Sequence, residues 1–200
     1  MLHQSKRRPA KSSKVGQVRI IGGQWKGRRI KFYEVAGLRP TLDRVRETLF
    51  NWLMYDIQDA RCLDLFAGSA ALGIEALSRG AGEVVFVEKN KRAADTIHDN
   101  LRELKFNNVK VFNTSAEVVM KKNEHPYDII FIDPPFYQDY LQSLLHNINN
   151  AQFLKVHTLI YVEREKHSDP IEVPDNWTTQ KTKQVGGLEF YLFEVKELNQ

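Results

Sequence analysis

The sequence has few of the features that mark disulfide-rich, fibrous or membrane proteins. Its single cysteine, Cys62, allows no internal disulfide, which excludes a disulfide-stabilised secreted scaffold and is typical of a reducing compartment. Seven prolines and eleven glycines are too few for a collagen-like or low-complexity chain. No stretch approaches the ~18 consecutive apolar residues that a membrane span needs. The six histidines lie far apart without cysteine neighbours, so we expect no metal site.

Acidic residues are absent from the first 33 positions, which hold ten lysines and arginines. The other 167 residues carry 19 basic and 25 acidic side chains, a balance of −6. Clustered cations without acidic partners favour a polyanion, most simply nucleic acid, although a solvated tail explains residues 1–14 equally well. We therefore divide the chain into a basic, RNA-binding arm over residues 1–33 and a body over residues 34–200. Because neither an apolar secretion signal nor an amphipathic targeting helix is present, we expect a cytoplasmic protein.

Two short β-branched runs in the arm predict a β-hairpin. Its strands are Gln17–Ile21 and Arg28–Phe32, and three glycines lie between them. The loop places Trp25 beside Lys26, a combination that can stack on a base and contact phosphate. For Trp25 alone, packing against the body is an equally simple interpretation and is slightly favoured.

A helix is predicted from Thr41, which can cap it, to about Asp56. Its apolar residues recur at helical spacing and form a core-facing stripe: Leu42, Val45, Leu49, Trp52 and Leu53. Arg39, Arg44 and Arg46 lie off this stripe or at the helix entrance, so we expect them to be available to an anion. The hairpin adds further candidate RNA contacts: Arg19, Trp25, Lys26, Arg28 and Arg29.

From residue 61 onward, short apolar runs alternate with helical stretches. The predicted strands are Cys62–Phe66, Val84–Glu88, Val109–Asn113 and Asp128–Asp133, with helices near residues 71–79, 91–105, 115–122 and 138–149. This alternation predicts an open, doubly wound α/β sheet that is mainly parallel. Three further strand-like runs follow: Thr158–Glu163, Thr178–Gln184 and Glu189–Val195. The turn Gly186-Gly187 joins the last two, which predicts an antiparallel edge.

In such sheets, ligands bind beyond the carboxyl ends of the strands. The first strand leads into a loop of small residues from Asp64 to Gly73, where backbone and a helix N-terminus can approach a ligand. The second strand ends at Glu88, whose carboxylate can accept both hydroxyls of a ribose, so a nucleoside-containing cofactor is predicted. Gly68, Ala70 and Gly73 have the spacing of the dinucleotide fingerprint. Because Ala70 replaces the glycine that admits a pyrophosphate, a dinucleotide and S-adenosylmethionine both stay open here.

The segment Asp133-Pro134-Pro135-Phe136 directly follows an apolar run. Prolines cannot donate backbone hydrogen bonds, whereas the carbonyl groups around them remain acceptors. An acidic side chain, available carbonyls and an aromatic ring at a strand end favour a planar ring that bears an amino group. The alternative interpretation is a turn that the prolines terminate.

The segment 133–136 resembles the D/N-P-P-Y/F/W motif of methyltransferases that act on exocyclic amines. The loop 64–73 resembles their S-adenosylmethionine loop. Two other segments narrow the likeness, namely residues 19–23 with Gly27-Arg28, and residues 39–51. From about residue 17 to its end, the chain resembles the bacterial RsmD family, which methylates guanine N2 in small-subunit (16S) ribosomal RNA. The one departure is Ala70, where the family usually has glycine.

The resemblance implies a Rossmann-like methyltransferase fold with S-adenosylmethionine as cofactor. The residues expected around the cofactor, from its methionine to its ribose and adenine, are Asp64, Ala67, Gly68, Glu88, Ser115 and Ala116. Asp133 and the carbonyl of Pro134 would bind the target amine, and Phe136 would stack on the guanine. The expected partner is small-subunit ribosomal RNA or its assembly particle, without membrane contact, and a monomer is the default.

Other activities remain as alternatives. Methylation at a base carbon usually needs a cysteine nucleophile, and Cys62 lies inside a predicted strand, away from Asp133. A dehydrogenase lacks a proton-relay histidine or tyrosine near the site. Adenine-N6 methylation of DNA or RNA uses the same motif as guanine-N2 methylation, so the residues alone leave the base open. A non-catalytic RNA-binding assembly factor would not need both Asp133 and the cofactor loop.

Overall fold

The computed structural model describes residues 15–33, 43–122, 125–134, 138–166 and 170–198. The arm and its neighbour contain β1 (Val15–Arg19), β2 (Arg29–Tyr33) and α1 (Asp43–Trp52). The strand–helix repeats contain β3 (Arg61–Asp64), α2 (Ala71–Ser78), β4 (Glu83–Val87), α3 (Lys91–Glu103), β5 (Val109–Phe112), α4 (Ala116–Lys122), β6 (Ile129–Ile132) and α5 (Gln138–Asn149). The remaining strands are β7 (Leu159–Glu165), β8 (Trp177–Val185) and β9 (Leu188–Val195). Within these described ranges, no helix is both long and apolar enough to cross a bilayer.

A seven-stranded sheet has the order β5-β4-β3-β6-β7-β9-β8. Strands β3 to β7 pair in parallel, because a helix after each of the first four returns the chain to the end of the sheet where the next strand starts. Strand β9 pairs antiparallel with both β7 and β8. The predicted doubly wound sheet with an antiparallel C-terminal edge is confirmed. Its winding direction changes between β3 and β6, which are neighbours although two strands separate them in sequence.

Alternating side chains of the parallel strands fill two core layers, one on each face of the sheet. The first layer contains Phe86 and Phe131 and packs against α1, α2 and α3. The second contains Val85 and Ile130 and packs against α4 and α5. Cys62 is fully buried in the first layer, and burial raises the pKa of its thiol. It is therefore the small core residue that its sequence context predicts.

The basic hairpin is a separate two-stranded sheet that shares the first core layer with the body. Strands β1 and β2 pair antiparallel, and Val18 lies opposite Ile30 with both side chains buried in that layer. Asn100 of α3 fixes β2, since it accepts a hydrogen bond from Lys31 N–H at 3.0 Å and donates one to the Lys31 carbonyl at 2.6 Å. The predicted hairpin is confirmed, and a functional division at residue 33 stays a prediction.

One residue of helix α1 that was predicted to contact RNA is buried. Arg46 is only 1% exposed, so the expectation that it is available to an anion is wrong. Its guanidinium donates to the Asp43 carboxylate at 2.6 Å and to the Arg19 carbonyl at 2.9 Å. The partners that make this burial favourable come from other turns and other elements, so apolar spacing within α1 did not reveal them.

Glu75 of α2 is the acceptor at the centre of this buried charge cluster. Its carboxylate is fully buried, accepts a hydrogen bond from Ile21 N–H at 2.9 Å and one from Arg79 Nε at 2.7 Å. It also lies 3.7 Å from a terminal nitrogen of Arg46. One carboxylate therefore joins the hairpin backbone, α1 and α2.

The hairpin loop approaches the end of α2 too closely for ordinary side chains. Gln24 N–H donates to the Ser78 carbonyl at 2.7 Å, and the Ser78 hydroxyl donates to the Gly22 carbonyl at 2.5 Å. A Cβ on Gly23, whose φ is +73°, would lie 1.8 Å from the Ser78 carbonyl oxygen. Gly23 is thus required both by this contact and by its backbone conformation.

We expect Glu75→Ala to lower the free energy of unfolding by about 3–5 kcal/mol, because it leaves buried arginine charge without its partner. Urea denaturation of the purified variant measures this loss. Glu103→Ala, which removes an exposed carboxylate from the end of α3, is the control and should change stability by less than about 0.5 kcal/mol. Equal stability of the two variants would contradict the central role of Glu75.

Candidate active site

The carboxyl ends of five parallel strands form one edge of the sheet, and the predicted cofactor and target residues meet there. In order across the sheet, this edge carries Ser115 after β5, Glu88 after β4, Asp64 in β3, Asp133 after β6 and Glu163 in β7. With strands about 4.8 Å apart, the row spans roughly 20 Å. The winding changes direction between β3 and β6, so Asp64 and Asp133 flank the crevice in which ligands of such sheets bind.

The loop after β3 has a fixed left-handed backbone. Gly68 has φ +52° and Ala70 has φ +60°, and Ala70 is fully buried. Such a conformation costs a non-glycine residue about 1–2 kcal/mol. Ala70 therefore keeps, at an energetic cost, the backbone conformation that glycine adopts freely. Gly73 is needed for packing, since a Cβ there would lie 2.2 Å from the ring of Phe86 on β4.

Asp64 carries a carboxyl group whose ionisation is disfavoured by its surroundings. It is 2% exposed, and burial raises its pKa to about 7. The negative charge of Glu88 adds to the rise, while the hydrogen bond from Gly73 N–H to Oδ2, at 3.0 Å, opposes it. A cation beside Asp64 would favour the ionised form. The end of β3 therefore suits a ligand that carries a positive group.

Glu88 holds the loop and the end of β4 together. Its Oε2 accepts from Gly68 N–H at 2.8 Å, and its Oε1 accepts from Asn90 N–H at 2.6 Å. Each oxygen has a second lone pair, so the carboxylate can also accept from two ribose hydroxyls. Asn113 donates from Nδ2 to the Glu88 carbonyl at 2.9 Å and ties β5 to β4. Neither asparagine was predicted: Asn90 has the recognisable sequence signal of a helix N-cap, whereas Asn113 has none.

Three smaller predicted residues line the same half of the edge. Ala67 is buried, and its N–H donates to the Val87 carbonyl at 2.9 Å, which keeps the loop against β4. Ser115 and Ala116 lie where β5 passes into α4, and the Ser115 carbonyl accepts from Val118 N–H at 3.2 Å. Their contact with an adenine stays a prediction.

Asp133 and the buried Pro134 follow β6 directly, on the other side of the crevice. The charge of Asp133 reaches Tyr161 of β7, where it adds to the effects of burial and of Glu163 in raising the pKa of that phenol. Pro135 and Phe136 lie outside the described residues, so the aromatic part of the motif stays a prediction. The buried pair Tyr161 and Glu163 was not predicted from the sequence. The available signal for it is an acidic residue within an apolar strand.

The predicted RNA contacts of the hairpin form an outward basic surface. Arg19 and Arg29 are exposed and lie directly opposite each other across β1 and β2, and Arg19 also lies 3.6 Å from the Asp43 carboxylate. The other exposed members of the predicted set are Lys26, Arg28 and Arg44, while Arg39 lies outside the described residues. The half-buried ring of Trp25 lies 4.4 Å from that of Phe106, which favours packing for this residue.

The hairpin extends from the site edge towards the opposite edge of the sheet, and the exposed cations of its basic surface lie at its loop end. Helix α2 begins at the cofactor loop, and its eight residues carry it about 12 Å before Ser78 meets the hairpin loop. At the other end of the hairpin, Arg92 at the start of α3 donates to the hydroxyl of Tyr33 at 2.9 Å. The open end of the hairpin therefore lies near the site, and its loop lies far from it.

Comparisons with known proteins agree with this geometry. A sequence model of the family described as Conserved hypothetical protein 95 matches residues 18–194. Ribosomal RNA small subunit methyltransferase D of Escherichia coli (strain K12) is 43% identical over 179 residues, which cover 90% of each chain. The chain belongs to the RsmD family. The resemblance to this family that the motifs indicated is confirmed.

Solved structures agree with the RsmD assignment. The Escherichia coli protein yhhF superposes with a TM-score of 0.83 at 40% identity, covering 90% of this chain and 99% of that chain. The T. thermophilus 16S rRNA N2 G1207 methyltransferase, in complex with AdoMet and guanosine, is 19% identical. Its TM-score of 0.68, over 97% of this chain and 53% of that chain, shows a shared fold.

The raised pKa of Asp64 predicts a pH dependence of stability. Because the folded-state pKa of about 7 lies above the unfolded value of 3.8, the folded state binds the proton more tightly, and stability falls as pH rises through this window. Urea denaturation between pH 5 and pH 7 should show wild type losing about 2 kcal/mol more than Asp64→Asn. The exposed Asp95→Asn serves as control and should follow wild type. A parallel pH dependence of wild type and Asp64→Asn would rule out the raised pKa.

Proposed function

We propose that the protein transfers a methyl group from S-adenosylmethionine to the exocyclic N2 of a guanine in small-subunit ribosomal RNA. The observation that carries this proposal is that two sets of acceptor groups line opposite sides of one crevice in this RsmD family member. Asp64 and Glu88 provide acceptors for a nucleoside cofactor on one side, and Asp133 provides an acceptor for an amine on the other.

The described residues fit S-adenosylmethionine. When bound, this cofactor supplies a methyl group on a sulfonium, with a neutral thioether as leaving group. Asp64 suits its ammonium group because a nearby cation favours the ionised carboxylate, and Glu88 suits its ribose. Ala67 and Gly68 let the backbone approach the methionine part, while Ser115 and Ala116 flank the adenine. With Ala70 where a dinucleotide fingerprint has its middle glycine, the loop favours a cofactor without a pyrophosphate.

Positioning and electrostatics carry the chemistry on the amine side. The lone pair of guanine N2 is delocalised into the ring, so N2 is a poor nucleophile. Hydrogen bonds from N2–H to Asp133 and to the Pro134 carbonyl aim that lone pair at the methyl group and stabilise positive charge developing on nitrogen. A C–N bond forms while the C–S bond breaks, and N2 then loses a proton, which Asp133 can accept. Phe136 stacks on the guanine.

The substrate is RNA in which the guanine is unpaired or flipped out, because a base inside a duplex cannot enter the crevice. The hairpin cations contact phosphates of the same RNA farther from that guanine. The RNA is part of the small subunit or of its assembly particle, which fits a cytoplasmic protein, and a monomer is the default state.

The deciding experiment is tritium transfer from labelled S-adenosylmethionine to small ribosomal subunits from a strain that lacks the enzyme, followed by nucleoside analysis. Label is expected in N2-methylguanosine. Label in N6-methyladenosine would move the protein to the rival adenine class. No label despite cofactor binding would reject this substrate, and no cofactor binding would reject the enzyme.

Asp133→Ala should reduce methyl transfer at least ~100-fold, since it removes a preorganised acceptor at the reacting nitrogen. RNA binding should persist in a filter-binding assay. The matched control is Asp95→Ala, which removes an exposed carboxylate of α3 and should retain full activity. Wild-type turnover by Asp133→Ala would remove the residue from the mechanism.

The double variant Arg19→Ala/Arg29→Ala should weaken RNA binding and leave cofactor affinity unchanged. Loss of two phosphate contacts should lower the slope of log K against log salt by roughly 1.5. Lys121→Ala/Lys122→Ala removes two exposed cations from α4, on the other face of the sheet, and should keep the wild-type slope. If both double variants show the same slope, the hairpin does not contact the RNA backbone.

A further inference from the structure

A buried acidic side chain, Glu163, lies at the site edge and has no part in the chemistry described so far. It is 3% exposed and belongs to β7, the strand beside β6. The register places Phe131 opposite Tyr161 and Ile132 opposite Val162. Continued by one residue, it sets Glu163 level with Asp133, about 5 Å away between backbones.

Asp133 and Glu163 belong to the same face of the sheet. Side chains alternate along a strand, so Asp133 follows Phe131, and Glu163 follows Tyr161. The rings of Phe131 and Tyr161 are in contact on that face, with centroids 6.5 Å apart. The Tyr161 hydroxyl donates to Glu163 Oε2 at 2.8 Å, and the charge of Asp133 acts on the same tyrosine.

The surroundings of Glu163 in the folded protein disfavour the charged form of its carboxyl group. Burial raises the pKa of Glu163, which measures how strongly the surroundings disfavour its charge, and the Tyr161 hydrogen bond offsets only part of the effect. Among the described residues, Tyr161 donates to Glu163, and no basic side chain pairs with it as Arg46 and Arg79 pair with Glu75. A donor on a bound base would add an interaction that favours the charged carboxylate.

We propose that Glu163 determines the specificity for guanine by accepting a hydrogen bond from its N1–H while Asp133 accepts one from N2–H. This inference rests on the proposed function. The two donors are adjacent on one edge of guanine, as the two carboxyl groups are adjacent on one edge of the sheet. Adenine presents a lone pair at N1, which would face the oxygen of Glu163 without a hydrogen between them. A site built to bind one donor rejects analogues that lack it far more strongly than shape alone can.

The test uses 2-aminopurine, which keeps the exocyclic amine at C2 and has a lone pair in place of N1–H. Small-subunit RNA is assembled by splinted ligation with guanine or 2-aminopurine at the position that labelling identifies. Methylation rates are then measured for wild type, Glu163→Gln and Glu165→Gln. Glu165 is exposed two residues further along β7, so its variant removes the same charge outside the pocket. Glu163→Gln retains an acceptor for the Tyr161 hydroxyl, and urea denaturation checks its fold.

Wild type should prefer guanine over 2-aminopurine by at least ~100-fold. In Glu163→Gln the amide can donate to the N1 lone pair, so the preference should fall at least tenfold, with a slower rate on guanine and a faster rate on 2-aminopurine. Glu165→Gln should keep the wild-type preference.

Equal losses on both bases in Glu163→Gln would show a structural role and overturn the inference. Wild-type rates on guanine and on 2-aminopurine that agree within threefold would also overturn the inference. This comparison needs no variant, so it decides the question even if Glu163→Gln does not fold. In both cases N2-methylguanosine formation by wild type would leave the proposed function standing. Absence of that product would reject the proposed function and this inference with it.

Discussion

The buried carboxylate of Glu75 fixes the hairpin on the methyltransferase sheet. A charge removed from water must be neutralised and hydrogen-bonded, and the groups that do so come from three elements: the Ile21 backbone, Arg46 and Arg79. Within the described residues, the hairpin and the central sheet are separate sheets with no strand pairing between them. Because α2 begins at the cofactor loop and carries Glu75 along its length, the same helix positions both the cofactor residues and the hairpin.

The site edge and the hairpin have opposite charges, and this division fits the two parts of a nucleic acid. Asp64, Glu88, Asp133 and Glu163 make the crevice acidic, whereas exposed arginines make the hairpin basic. An acidic crevice repels phosphate and accepts hydrogen bonds from the donors of a base. The basic loop end of the hairpin, farther from the crevice, attracts the phosphates. The arrangement therefore favours entry of a base while the backbone stays outside.

The fold was largely predictable from sequence because its signals are local. Period-two apolar runs, helical spacing and the Gly186-Gly187 turn indicate the elements, and connection rules then give a parallel sheet with an antiparallel edge. Asp64, Glu88 and Asp133 were predictable for the same reason, since each stands at a strand end. The C-terminal boundary of α1 was not predictable. Its predicted length came from an apolar stripe, and that stripe continues into the turn that follows the helix.

The residues whose burial or role the sequence did not predict depend on contacts with residues far away in the chain. Arg46 has the polarity of a surface residue, and its burial is favourable because of Asp43 together with two distant partners, the Arg19 carbonyl and Glu75. Asn113 acts on Glu88 across neighbouring strands, and Glu163 meets the site only because β7 pairs with β6. Such partnerships follow from tertiary structure, which single-sequence periodicity does not encode.

The two outer strands of the sheet bear on how the protein behaves at high concentration. An edge strand offers unpaired backbone groups to other chains and can nucleate aggregation. Strand β5 is only four residues long, which limits such pairing. Strand β8 is nine residues long, but its ladder is irregular between Thr179 and Lys181, and exposed Lys181 and Lys183 add charge. Both edges of the seven-stranded sheet thus resist β-pairing between molecules, which favours a protein that stays dispersed when it is concentrated.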